Sequence, residues 1–180
     1  MVHPDCLKAL PARAERFEGI GKPDRRYISM NVLIIYDSVF GNTEQIARAI
    51  GNALGSREDV EIVRASNVKP EQLTKLELLI VGSPTHGGGP TPAIQDFLKK
   101  VTESAIRGIH VAAFDTRFST RLVRIFGYAA GRIAESLERN GGTLIASPEG
   151  FFVKGKKGPL KEGELERAAI WAKVVVQSGK

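Results

Sequence analysis

Cysteine is nearly missing from this 180-residue chain: Cys6 stands alone, which excludes an intramolecular disulfide and any metal or iron–sulfur centre built from several thiolates. Its place near the N-terminus argues against a catalytic thiol. Long apolar runs are missing as well. No stretch approaches the roughly 20 residues that span a bilayer, and Met1–Leu10 lacks the continuous apolar segment of a secretory signal, so the expected location is the cytoplasm. An acidic excess is also absent. With 26 Lys and Arg against 20 Asp and Glu the net charge is +6, which permits anionic partners such as nucleic acid, a membrane surface or an acidic redox protein without choosing among them. No internal repeat or low-complexity segment is present.

What is there is a chain 42% hydrophobic, enough for one globular domain with a sizeable core and no comfortable room for a second. Residues 1–29 mix Pro4, Pro11 and Pro23 with charges and few large apolar side chains. They read as a peripheral N-terminal extension, with Ala9–Phe17 its helix candidate, attached to a domain spanning 30–178.

Within that domain apolar runs alternate with helical periodicities. Val32–Ile35, without polar alternation, reads as a strand buried on both faces, hence part of a parallel sheet. Ile46, Ile50 and Leu54 follow at helical spacing, with Asn42 as a candidate cap and Gln45 at the capping-box position. Val60–Ala65 alternates like an outer strand, and Asn67–Leu76 crosses back with Pro70 suited to a first helical turn. Leu78–Gly82 is the next buried strand, with a helix expected from Thr91 to Glu103. Ile109–Phe114 reads as the fourth strand, ending in a loop Asp115–Arg121. A helix over Tyr128–Asn140 is stopped by Gly141-Gly142. The fifth strand, Thr143–Ala146, breaks at Ser147-Pro148, resumes over Gly150–Val153 and gives way to a basic turn from Lys154 to Pro159. A last helix, Glu162–Gln177, is expected to bury Leu165, Ala168, Ala169, Ala172 and Val176.

Strict alternation of strand and helix implies a doubly wound α/β fold, a three-layer α/β/α sandwich on a five-stranded parallel sheet of order 2-1-3-4-5. Its topological switch lies between the first and third strands, so a ligand is expected where the turns at Ser38, Pro84 and Asp115 meet. In the first of these, Ser38-Val39-Phe40-Gly41-Asn42-Thr43, free backbone N–H groups, a helix dipole and two hydroxyls converge as a phosphate requires. An ordinary capped strand-to-helix connection explains the turn alone equally well.

Ser38-x-Phe40-Gly41-Asn42-Thr43 resembles the flavodoxin phosphate loop, usually [S/T]-x-T-G-N-T, with Phe40 in place of the customary threonine. Gly82-Ser83-Pro84-Thr85-His86-Gly87-Gly88 resembles the second flavodoxin loop, in which G-S-P-T precedes an aromatic that covers one face of the isoalloxazine; here that residue is His86. Asp115-Thr116-Arg117-Phe118 occupies the place of the third loop. The resemblance covers about Met30–Gln177 and includes the ending Gly158–Ala168. It implies non-covalent FMN held by residues 38–43 (Ser38, Val39, Phe40, Gly41, Asn42, Thr43), by Pro84, Thr85, His86, Gly87 and Gly88, and by Asp115, Thr116, Arg117 and Phe118. Phe118 either stacks on the flavin or packs under its own loop, and Arg117 and Arg121 are either solvated or neutralise a reduced flavin or a phosphate.

The function so implied is a flavodoxin-like carrier passing one or two electrons to a redox partner protein or quinone, with no catalytic side chain and no metal. The alternative is an FMN-dependent NAD(P)H:quinone reductase. A phosphoacceptor receiver lacks its acceptor aspartate after the third strand, where Gly82-Ser83-Pro84 stands. A hydrolase assembled from Ser38, His86 and Asp115 lacks a G-x-S-x-G elbow. Lys154, Lys156, Lys157 and Lys161 lack the interleaved aromatics of a nucleic-acid platform and read as a solvated face.

Overall fold

The computed structural model describes residues 30–55, 58–119 and 127–179; the extension 1–29, with Cys6, and Arg121 lie outside these. Strand β1 (Asn31–Tyr36) is buried from Val32 onward, as its unbroken apolar run requires. It lies between β2 (Asp59–Arg64) and β3 (Leu78–Pro84), and β4 (His110–Phe118) flanks β3. β5 (Thr143–Leu144) pairs with the start of β4 and β6 (Glu149–Val153) with its end, so one broken strand occupies the last position. Every pairing is parallel and the order is 2-1-3-4-5. The break falls at Ser147-Pro148, where proline has no N–H for the ladder.

Helices α1 (Asn42–Leu54) and α5 (Glu164–Ser178) cover one face, and α2 (Pro92–Lys100), α3 (Glu103–Ile106) and α4 (Ala129–Arg139) cover the other. The first face holds the largest aromatic cluster: Phe114, Phe151 and Trp171 meet edge to face at centroid distances of 6.0–6.2 Å, worth about 0.5–1.5 kcal/mol per pair beyond area burial. Phe114 lies across Gly82 so closely that a Cβ there would enter the ring. Residue 82 is glycine for packing, immediately beneath the second loop.

Four local expectations are corrected. Asn42 does not cap α1: it is the first helical residue, Gly41 is the cap position at φ 82, and the Asn42 side chain instead donates to the Lys157 carbonyl. The helix expected to reach Glu103 ends at Lys100, because Val101 turns extended and its carbonyl accepts from Asn140 Nδ2 at 3.1 Å. Leu165 is exposed; on α5 the buried large side chains are Trp171, Val175 and Val176. The fourth strand does not end at Phe114 but runs to Phe118, because β6 pairs with all of Phe114–Phe118. Pro70 does open a helical turn, the second of two 3-10 turns, Ala65–Asn67 and Pro70–Leu73, that cross from β2 to β3.

Candidate functional site

The C-terminal tips of β1, β3 and β4 border a cleft of about 350 Å³, within the usual size range of small-molecule sites. Ser38, Val39, Phe40, Asn42 and Thr43 line it from the first turn, Pro84, Thr85, His86 and Gly87 from the second, and Thr116, Arg117 and Phe118 from the third. Of the expected residues Gly41, Gly88 and Asp115 are not in its lining. Val153 and Lys156 are, and sequence reasoning missed both as site residues. A larger hollow of about 800 Å³ lies toward the N-terminal ends of β3 and β4, with Leu76 and Ile109 in its wall. Among the described residues those with a buried unpartnered polar atom are Ser38, Thr91 and Asp115, and none of them lines this hollow.

The first turn is built to present donors. Gly41, at φ 82, takes a left-handed conformation that L side chains adopt only at a cost; it has no side chain with which to cap α1, and the side chains of Asn42, Thr43 and Gln45 bond to Lys157 O, Thr116 Oγ1 and Gly41 O rather than to the first-turn N–H groups. Ser38 is 5% exposed, and its Oγ has no hydrogen-bond partner among the described residues. A buried orphan hydroxyl costs about 1–3 kcal/mol unless something satisfies it. Thr43 Oγ1 and Thr116 Oγ1 are 2.8 Å apart, tying the helix start to β4. From outside, Arg64 braces the turn, Nε donating to Asp37 at 3.1 Å and Nη2 to the Ser38 carbonyl at 2.6 Å. Arg64 sits opposite Tyr36 in the parallel register; only that register brings it to the turn, so nothing local in the sequence announces it.

The second turn is a two-residue hairpin. His86 and Gly89 exchange N–H···O bonds of 2.9 and 3.0 Å, and Gly87 and Gly88 between them stand at φ 55 and 80, the positive pair that a type I′ turn demands. His86 is exposed at its edge. Thr85 anchors the hairpin: its N–H donates to Thr116 O at 2.9 Å, and its hydroxyl donates to Asp115 Oδ2 at 3.1 Å and accepts from Ala129 N–H at 3.0 Å.

Because β4 continues as a strand, alternation sorts the third set of residues. Thr116 falls on the α1 side, where it meets Thr43, and Phe118, two residues on, shares that side. Asp115 falls on the α4 side. It is fully buried, and Oδ2 also accepts from Ala130 N–H at 3.0 Å and Arg117 Nη1 at 3.1 Å. Burial pushes the Asp115 carboxyl above its usual range, opposed by Arg117, the Ala130 N–H and the Thr85 hydroxyl. The Arg117 guanidinium, also stacked 4.3 Å from the Tyr128 ring centroid, is thus held by the protein itself although Arg117 borders the cleft. Asp115 is a brace behind the cleft.

The cleft accordingly has two unlike ends. One, the first turn, offers uncapped helix N–H groups, an orphan hydroxyl and the Phe40 ring; the other offers the Phe118 ring and the His86 edge, both phenylalanines being 43% exposed. That donor set and shape fit a phosphate joined to a flat aromatic group. Among the described residues no helix is long and apolar enough to cross a membrane.

The sequence profile described as Flavodoxin matches residues 34–171. No curated protein matches significantly. Among solved structures, a flavodoxin from the domain Archaea is 24% identical with a TM-score of 0.69, the match covering 83% of this chain and 99% of that one. Oxidised Flavodoxin 2 from Bacillus cereus is 24% identical with a TM-score of 0.68, covering 81% and 97%. Rubredoxin oxygen:oxidoreductase from Desulfovibrio gigas is 23% identical with a TM-score of 0.65, covering 84% of this chain but 36% of that one. These structures share the fold, and the profile spans most of the chain and all three turns, so this protein belongs to the flavodoxin family, whose members bind flavin and transfer electrons.

Proposed function

We propose that this protein is an electron carrier that holds FMN non-covalently in the cleft and exchanges one or two electrons with a redox partner protein or a quinone. The observation that carries this reading is Ser38 Oγ, buried and unpartnered beside an uncapped helix start. An anion there satisfies the hydroxyl and the first-turn N–H groups together. Bound flavin supplies the redox chemistry, and the protein supplies position and electrostatics. Phe118 and His86 stand at the mouth to border the ring, and the Gly87-Gly88 hairpin lets backbone approach it without side chains in the way. Thr85 and Asp115 hold that hairpin in place.

Purification followed by FMN titration, monitored by flavin fluorescence quenching, tests the cofactor. Stoichiometric quenching supports the reading and no quenching overturns it. A visible spectrum recorded with and without NAD(P)H then separates the carrier, whose yellow colour persists, from the quinone reductase, which bleaches rapidly.

A further inference from the structure

The basic turn after β6, which composition alone assigns to a solvated face, is built onto the candidate phosphate end of the cleft. It is a tied hairpin. Lys154 N–H donates to Pro159 O at 2.8 Å, Gly158 N–H to Gly155 O at 2.9 Å and Lys161 N–H to Phe152 O at 2.8 Å. The hairpin is pressed against the start of α1: Asn42 Nδ2 donates to the Lys157 carbonyl at 3.2 Å, and Gly158, at φ 100, lies so close to the Asn42 side chain that no Cβ fits between them. Asn42 therefore leaves its expected capping role to hold this turn.

The consequence is selective. Lys156 joins Ser38, Asn42 and Thr43 in the cleft wall, whereas Lys154 and Lys157 do not. The lining contains no carboxylate. Its other cation, Arg117, is engaged by Asp115, and among the described residues Lys156 makes no ion pair. The turn brings an uncommitted positive charge to the end that already presents an uncapped helix start and an orphan hydroxyl.

We infer that Lys156 is a phosphate-binding residue of this site and makes it selective for the phosphorylated flavin over neutral riboflavin. This rests on the flavin reading above. Coulomb attraction acts on the dianionic phosphate and not on the uncharged ribityl hydroxyl, so the lysine stabilises one complex and leaves the other unchanged.

The test measures FMN and riboflavin dissociation constants for the parent and for Lys156→Gln, Lys156→Arg, Lys154→Gln and Lys157→Gln, at low and high salt. The parent is expected to prefer FMN. Lys156→Gln should weaken FMN about three- to tenfold and leave riboflavin unchanged, the range for a charged contact open to solvent. Lys156→Arg should keep the preference, the other two glutamine variants should resemble the parent, and salt should erode the parent's preference more than that of Lys156→Gln. The inference is overturned if Lys156→Gln changes neither affinity, if it lowers both equally, or if Lys154→Gln matches its effect. A parent that binds riboflavin as tightly as FMN overturns this inference and leaves the flavin reading standing; a parent that binds neither overturns both.

Discussion

Two helices begin at the same edge of the sheet and are treated in opposite ways. The start of α4 is closed: Ala129 N–H donates to the Thr85 hydroxyl and Ala130 N–H to the Asp115 carboxylate, groups brought from the tips of two other strands. The start of α1 is open. It has no side-chain cap, and the buried Ser38 Oγ in the turn that leads into it has no partner among the described residues. Both helices carry the same partial positive charge at their N-terminus. A helix start becomes available to a ligand only where the protein does not satisfy it internally, and here one has been satisfied in order to brace the wall of the other.

The largest expected effect comes from opening the closed start. Asp115→Ala removes an acceptor from Ala130, Thr85 and the mostly buried Arg117 at once, and should lower stability by about 3–5 kcal/mol, the usual loss when one partner of a buried pair is deleted. Urea unfolding measures it. A loss below about 1 kcal/mol would mean that α4 is satisfied in some other way and that the contrast between the two helices is false.

Next comes the open start. Ser38→Ala should weaken FMN by about 1.5–3 kcal/mol, the value of a hydrogen bond to a charged group, while the urea midpoint without ligand stays level or rises, because an unsatisfied buried hydroxyl has been removed. Equal FMN affinity in the two proteins would detach the orphan hydroxyl from the ligand.

The Gly87-Gly88 hairpin should respond less. Gly87→Ala places a Cβ in open space, so its only cost is the positive φ of 55, roughly 1–2 kcal/mol. The cost should appear in the unfolding midpoint of the flavin-free protein. An unchanged midpoint would show that the turn relaxes easily and does not hold His86 in place.

The smallest effect is one of pH. Burial raises the folded-state pKa of Asp115 above its usual value of 3.8, so between that value and the raised one the folded protein binds more protons than the unfolded chain. Stability therefore falls as pH rises through that window. Asp115→Asn should remove this slope, leaving a flatter profile in unfolding measured at a series of pH values. Identical slopes in parent and variant would remove Asp115 from the titration.

Much of the architecture was legible because its signals are local. Val32–Ile35 and Leu78–Gly82 are apolar without alternation and became buried parallel strands, and Ser147-Pro148 broke the last strand where proline denies it a donor. The phosphate-type turn was legible for the same reason: its residues are consecutive. The extent of β4 was not: Asp115 and Thr116 pair with the lengthened tip of β3 as well as with β6, and Arg117 and Phe118 form a strand only because β6, more than thirty residues later, pairs with them.

The sequence by itself determined the order of strands and helices and the chemistry carried by each turn, through periodicity and spacing within a few residues. Tertiary structure alone decided which of those groups face the cleft. Alternation along the lengthened β4 placed Thr116 on the α1 side and Asp115 on the α4 side, parallel register carried Arg64 to the first turn, and the Asn42 bond to the Lys157 carbonyl brought Lys156 into the wall. Each of these depends on which distant segment lies alongside, a choice made by the packing of the whole sheet and its two helical layers that no window of neighbouring residues contains.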